Sequence, residues 1–390
     1  MDIGAIQAYL EDRGLDGWLM ADFHGRNDIA VNMLQIKGML TRRAFYFIPT
    51  QGEPVAMVNS VEKEKFKGLP GTIEAYAGYR QLEASLDSLL ADKKKVAMEY
   101  SPKGRLPYIG LVDAGTIELV RSSGIEIVSS ADLVASFQAI LTPRQIETHR
   151  TAAARVVECK TSAFDAIAQA LISGKRITEY DVATQIRSDF DKFGLKAGTG
   201  PICAVGPHAG DPHYEPTADN CAEIKRGDLI LVDLWAQTTD ESSIYADITW
   251  MAFAGSSSDI PTRFVEIHKV LTRARDAAVD YLDNHIGKRR VCGYEVDDVC
   301  REVIRSAGYG DYFVHRTGHS ITTTEHGTGP NIDNLETEDD RELQVGHLFS
   351  IEPGIYTDDF GLRTEINALI VPDGCEVTTQ PVQNEIAALF

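Results

Sequence analysis

The chain has 390 residues, 43% of them apolar and 25% charged, the balance of an ordinary globular protein with length enough for two domains. Its 58 acidic against 38 basic side chains leave a formal charge of −20, which repels nucleic acid and anionic membrane and argues against both as partners. No apolar run approaches the roughly 18 residues a membrane span needs. The N-terminus MDIGAIQAYLEDRGLDGWLM lacks the basic start of a signal peptide. Cys159, Cys203, Cys221, Cys292, Cys300 and Cys375 show neither CxxC pairing nor zinc-finger spacing, so reduced thiols in a cytoplasmic protein are expected.

Residues 1–140 alternate helical and strand patterns, as an α/β domain with a mixed sheet does. Helices are expected over Ile3 to Arg13, Gln81 to Ala91 and 107–122, and strands over 17–20, 44–48, 54–58, 95–100 and 125–128. No phosphate-cradling glycine loop is present. Arg42, Arg43 and the HGRND run at 24–28 read as solvated loop residues. The domain boundary falls near 140, just before Thr142-Pro143-Arg144-Gln145: Thr as N-cap, Pro in the first turn and Gln to close a capping box. A long alanine-rich helix is predicted from there towards Gly174, then helices over Glu179 to Phe193, Pro261 to His285 and Glu295 to Ala307. The second domain, 141–390, thus interleaves long helices with antiparallel hairpins, an α+β architecture.

Chemistry concentrates in those hairpins. LILVDLW and IYADITWM each hold one acid, Asp233 and Asp247, inside an apolar strand; HLFSIEPGIY and LRTEINALIV do the same with Glu352 and Glu365. An ionised carboxylate in a low-dielectric interior is costly unless it is paired or binds a metal, so two such acids on neighbouring strands call for a cation. Either acid alone also reads as an edge residue turned to solvent. Between the hairpins, FVHRTGHSITTTEHGTG supplies His315, His319 and His326. Four carboxylates and one imidazole form an oxygen-rich set, which balances two divalent ions and points to Mn²⁺, Co²⁺ or Zn²⁺ rather than thiolate-loving ions, with Mn²⁺ expected first among them.

Asp233, Asp247, His319 in HRTGH, Glu352 in IEPG and Glu365 in RTE stand in the order and local contexts of the metal ligands of the pita-bread metallopeptidases, which the chain resembles over essentially its whole length. With His213, His315, His326 and Arg363 alongside, it is most similar to the Xaa-Pro dipeptidase (prolidase) and aminopeptidase P branch. The resemblance implies a creatinase/aminopeptidase catalytic domain behind a creatinase-type N-terminal domain. It also implies hydrolysis of the bond preceding proline by a hydroxide held between two metal ions. Asp233 would then chelate one metal and His319 bind the other, while Asp247, Glu352 and Glu365 contact or bridge both. Glu352 would double as proton acceptor, His213 and His326 would donate to the substrate carbonyl and the oxyanion, and Arg363 would steady the acids. His315 is expected in the pocket, and HYEP at 213–216 matches the pocket-lining segment. A homodimer is implied, in which the N-terminal domain shapes the neighbouring pocket, with a small peptide carrying proline in second position as substrate.

The chain departs from the family pattern at Trp235, where a small residue is usual, in the longer connection from Asp233 to Asp247, and in the Gly-Thr-Gly-Pro after His326. The first two flank the site and bear on substrate choice. Rival readings are a metal-independent creatinase-type amidinohydrolase, a metal-dependent lyase and a non-catalytic binding protein on the same fold; retention of all five ligand positions weighs against the first and the last.

Overall fold

Trp18-Leu19-Met20-Ala21 has no polar alternation, as expected of a strand covered on both faces. In the computed structural model, which describes residues 1–390, it lies inside a six-stranded mixed sheet. The chain divides into two units, Met1–Gln138 and Ala139–Phe390. In the first, α1 (Ile3–Asp12), β1 (Gly17–Phe23), α2 (Asp28–Leu34), β2 (Arg43–Pro49), β3 (Val55–Asn59), β4 (Thr72–Tyr76), α3 (Tyr79–Leu90), β5 (Lys95–Met98), α4 (Ala114–Ser122), β6 (Glu126–Ser129) and α5 (Ala131–Phe137) follow in order. The sheet order is β4-β3-β2-β1-β5-β6, with β1–β2 and β2–β3 antiparallel and the other neighbours parallel. Trp18 and Met20 pack into one core cluster and Leu19 and Ala21 into another, one on each face.

Three expectations for this unit are corrected. Arg43, expected with Arg42 in a solvated loop, opens β2 opposite Phe23 and is half-buried. HGRND is not all solvated loop: Asn27 is buried, caps α2 through its side chain, and donates to the Ala21 carbonyl at 2.9 Å and to the buried Glu99 carboxylate at 2.7 Å. The helix expected over 107–122 is an isolated 3₁₀ turn, Pro107–Ile109, followed by α4, because Asp113 provides a fresh N-cap to the Thr116 amide at 3.0 Å.

The second unit opens with α6 (Pro143–Ile172), whose Thr142–Gln145 capping box forms as the sequence implies. After it come α7 (Glu179–Phe193), β7 (Leu195–Lys196), β8 (Ile202–Val205), β9 (Leu229–Thr238), β10 (Ala246–Phe253), α8 (Thr262–His285), α9 (Gly293–Ser306), β11 (Leu348–Ile351), β12 (Gly354–Tyr356), β13 (Gly361–Arg363), β14 (Ile366–Val371), β15 (Gly374–Val377) and β16 (Ala387–Ala388). Side chains alternate along β9: Ile230, Val232, Leu234 and Ala236 join the core shared with α6 and α7, whereas Leu229, Leu231 and Trp235 join the core shared with α8 and α9. Asp233 falls on the second face by parity. No helix is long and apolar enough to cross a membrane.

Candidate metal centre

The strand registers bring the acids together. On the first hairpin, β9 and β10 pair antiparallel with Asp247 opposite Trp235 and Thr249 opposite Asp233, so both acids emerge on one face. The second hairpin was expected as two continuous strands; each is instead interrupted at its acid. Pro353 follows Glu352 and has no N–H to give the ladder, so pairing stops at Ile351↔Ile366 and resumes at Gly354↔Arg363. The register is the same on both sides of the gap, which sets Glu352 against Glu365, and Thr364 still donates to the Pro353 carbonyl at 3.3 Å. The hairpins are stitched edge to edge: Asn367 exchanges hydrogen bonds with the Asp247 backbone at 2.9 and 2.8 Å, and the Glu365 amide donates to the Thr249 carbonyl at 3.3 Å.

Ligand atoms of Asp247, His319 and Glu365, all buried, lie within 4.8 Å of one another. His319 Nε2 stands 3.5 Å from Asp247 Oδ2 and 3.5 Å from Glu352 Oε1. Asp233 is paired with Arg363 and accepts from the Thr249 hydroxyl, which also contacts Glu365 Oε2 at 2.8 Å and receives Arg363 Nε at 2.7 Å. Three of the five expected ligands are thus tightly grouped, Glu352 reaches the group through His319, and Asp233 is joined to it through Thr249. Gly318 makes this possible for His319: any Cβ there would collide with the Ser350 carbonyl, so only glycine lets the two backbones approach this closely.

The electrostatics are those of a site built for a cation. Asp247 Oδ1 and Glu365 Oε1 are buried with no hydrogen-bond partner. Burial, and after it the neighbouring carboxylates, pushes the pKa of both far above the ordinary carboxylate range. Asp233 is also raised by burial, against the pull of Arg363. Burial works against Glu352 as well, but the positive charges of Arg363 and Arg316 nearby hold its pKa below the usual value. Burial lowers His319 to about 3, which keeps it neutral, and its Nδ1 contact with the Ser320 carbonyl at 3.3 Å leaves the Nε2 lone pair directed at the acids. Unpartnered buried carboxylate oxygens around a neutral imidazole are the donor set a divalent ion satisfies, so the residues present fit a metal.

The remaining predicted residues surround this centre. The His326 ring lies 4.2 Å from the His319 ring, centroid to centroid, and is exposed on its other side. His213 lies on an exposed turn and lowers the pKa of His326. His315 bonds the Tyr356 hydroxyl at 2.8 Å, which in turn accepts from Arg363 at 3.2 Å, so His315 supports Arg363 from behind. Trp235 is buried beside the acids, its ring packed over Gly200 so closely that a Cβ there would clash.

Two residues that carry the site were not singled out in the sequence. Glu179, read only as a first-turn acid of a helix, is fully buried and receives the Val205 and Ala222 amides, His208 and the Tyr214 hydroxyl at 2.6 to 2.9 Å, which fixes the segment bearing His213. Glu325, next to His326, is pushed up to about 7 by burial and by Asp233 and Glu352, a fifth carboxylate at the rim. The acid directly before a site histidine was its only signal in the sequence.

An α+β domain that gathers four acids from two joined hairpins around the buried His319 of the segment between them has the make-up of a metal-dependent hydrolase. Residues 147–372 match the model of metallopeptidase family M24, more than half the chain, and the chain belongs to that family. It is 30% identical over 241 residues to an Xaa-Pro dipeptidase of Lactobacillus helveticus, 61% of this chain and 59% of that one, and 30% identical over 251 residues to an Xaa-Pro dipeptidase of Pyrococcus furiosus, 64% and 65% respectively. The chain is thus matched over less than two thirds of those relatives. Among solved structures, dipeptidase PepE from Mycobacterium ulcerans aligns over 99% of this chain and 96% of its own at TM-score 0.77 and 21% identity. X-Pro aminopeptidase from Thermotoga maritima aligns over 99% of both chains at TM-score 0.66 and 22% identity. The pita-bread fold expected from the sequence is therefore the fold of the chain, with the N-terminal unit included in the alignments.

Proposed function

We propose that the protein hydrolyses the peptide bond preceding proline, as an Xaa-Pro dipeptidase or aminopeptidase, using two divalent ions held by Asp233, Asp247, His319, Glu352 and Glu365. The observation that carries this reading is the pair of buried, unpartnered oxygens on Asp247 and Glu365 facing the neutral His319, in a chain of family M24. The same oxygens weigh against a metal-independent amidinohydrolase, which would leave them without a counter-charge. Manganese as the metal, a homodimer and a cytoplasmic location belong to this reading and rest on resemblance.

Bound divalent ions supply Lewis acidity toward the scissile carbonyl and an acidified water. The protein's own groups do the rest. Glu352 keeps its carboxylate ionised beside Arg363, and so accepts the proton of the attacking water. His326, beside the His319 ring, donates an N–H to the carbonyl oxygen as it gains charge, with His213 nearby. Arg363, locked between Asp233, Thr249 and Tyr356, fixes the orientation of Asp233 and Thr249, and through Thr249 that of Glu365. Proline at the bond is a tertiary amide without an N–H, which a cleft reading strand-like hydrogen bonds handles poorly; a pocket lined by the 213–216 segment serves instead.

The test is hydrolysis of an Xaa-Pro dipeptide and an Xaa-Pro-Yaa tripeptide by chelator-stripped protein, with and without added Mn²⁺. Metal-restored release of the N-terminal residue is expected, and the ratio between the two substrates assigns dipeptidase or aminopeptidase. Glu352→Gln is expected to keep its far-UV spectrum and lose roughly 10²-fold or more in kcat, the scale of a removed general base. A fully active variant would remove Glu352 from the mechanism.

A further inference from the structure

Within the reading of this site as an Xaa-Pro peptidase, two groups beside the acids, Glu325 and Trp235, have no assigned role in the chemistry, and neither meets a lysine or arginine. Glu325 is about a quarter exposed, and its one ionic neighbour is His326 Nε2 at 3.6 Å. No lysine or arginine pairs with it, and the charges that act on it are the carboxylates of Asp233 and Glu352. Trp235 is 9% exposed, and its Nε1 is buried without a hydrogen-bond acceptor. The Glu325 carboxylate lies close enough for the indole to favour its ionised form, though short of bonding geometry.

The fold places these two groups together. Asp233, Trp235 and Gln237 share one face of β9. Gln237 Nε2 donates to the Thr323 carbonyl at 3.4 Å and the Tyr245 amide to the Thr322 carbonyl at 3.1 Å, so the loop carrying Glu325 is tied along the mouth of the first hairpin. Trp235 itself stands opposite Asp247 on β10, and its ring is packed against Gly200, which fixes its position beside the acids.

We infer that Glu325 and Trp235 form a cation-reading subsite, and that the preferred substrates carry lysine or arginine before the scissile Xaa-Pro bond. A large indole beside the acids leaves little width, which suits an unbranched aliphatic stem laid against the ring more than a branched or aromatic side chain. An ammonium or guanidinium at the end of that stem meets the carboxylate that lacks a counter-charge.

The experiment uses the metal-loaded full-length protein with Lys-Pro, Arg-Pro, Leu-Pro and Glu-Pro. The expected kcat/KM for Lys-Pro and Arg-Pro exceeds that for Leu-Pro by roughly tenfold or more, the scale of one charge-assisted hydrogen bond, with Glu-Pro poorest. Glu325→Gln is expected to bring the Lys-Pro to Leu-Pro ratio to about one, and Glu325→Lys to move the preference towards Glu-Pro. Wild-type ratios near one, or ratios unchanged by Glu325→Gln, overturn the subsite. So does loss of bound metal in Glu325→Gln, measured by elemental analysis, since Glu325 would then be a metal ligand. If no Xaa-Pro bond is cut at all, the peptidase reading fails by itself, and calorimetric binding of lysinamide against norleucinamide still decides the subsite. Tighter lysinamide binding that Glu325→Gln abolishes supports it; equal binding rejects it.

Discussion

Each carboxylate of the centre is defined by what its oxygens touch. Asp233 has Arg363 and Thr249, while Asp247 and Glu365 each present one oxygen with nothing to accept from. A carboxyl whose folded pKa is raised above its unfolded value adds stability that is fully present below the unfolded pKa, near 4, and lost as pH rises through the folded one. Chelator-stripped protein therefore pays for Asp247 and Glu365 at neutral pH. Asp247→Asn removes a carboxyl that, without metal, must take up a proton for the chain to fold. At about pH 7.5 the stripped variant is expected to unfold at a higher temperature than stripped wild type, although it binds metal worse. Thermal unfolding with and without Mn²⁺ checks both halves, and a variant less stable than wild type in the stripped state would show that the Asp247 carboxyl is no net cost there. The motifs made this ligand set legible in the sequence, because each acid interrupts an apolar strand. Thr249, which touches Asp233, Glu365 and Arg363 at once, was not legible: a threonine in a strand carries no pattern that separates it from any other β-branched residue.

At the scale of elements, the site depends on how close two backbones come. The segment bearing His319 crosses the second hairpin at Gly318, bridged to Ile332, and its neighbour Ser320 bridges to Phe349. The Ser350 hydroxyl receives the His319 amide at 2.9 Å and donates to Glu352 Oε1 at 3.0 Å, so this crossing fixes ligand and proton acceptor together. Gly318→Ala puts a methyl group into the Ser350 carbonyl, a backbone atom that cannot swing away. A cost of about 2 kcal/mol or more is expected, the range for overpacking, together with a loss of metal affinity greater than the loss of stability alone explains. Urea unfolding and metal titration separate the two, and an unchanged metal affinity would detach the crossing from the site. Helix starts with full chemistry, such as Thr142–Gln145 and Thr178 before α7, could be read from the sequence because the cap is local. The short elements α2, β4 and α5 could not: seven residues or fewer hold too little periodicity, and α2 exists because Asn27 reaches across to Glu99, seventy-two positions away.

Over the whole molecule the two units respond differently to acid. Met1–Gln138 has a single histidine, the exposed His24. In Ala139–Phe390, burial lowers His149 and His268 to about 4, both away from the metal ligands. His149 ties α6 to two distant strands' ends: Nδ1 donates to the Tyr245 carbonyl at 2.7 Å, and Nε2 meets the Thr378 hydroxyl at 2.6 Å. A histidine with a depressed folded pKa contributes stability that is present above its unfolded value of 6.5 and lost as pH falls towards the folded value of about 4. The shift corresponds to about 3 kcal/mol for each group. Depressed carboxylates such as Glu62 in the first unit begin to matter only below their ordinary 4.5, so they do not contribute over most of this interval. Acidification between about pH 6.5 and pH 4 is therefore expected to loosen the second unit first. Hydrogen exchange should show α6 amides losing protection while β1 and β2 keep theirs. His149→Gln has no proton to take up, so its stability deficit at about pH 7.5 should narrow as the pH falls and be nearly gone by about pH 4. A deficit that stays constant across that range would mean His149 does not titrate on unfolding, and the acid response of the unit would have to come from the metal centre instead.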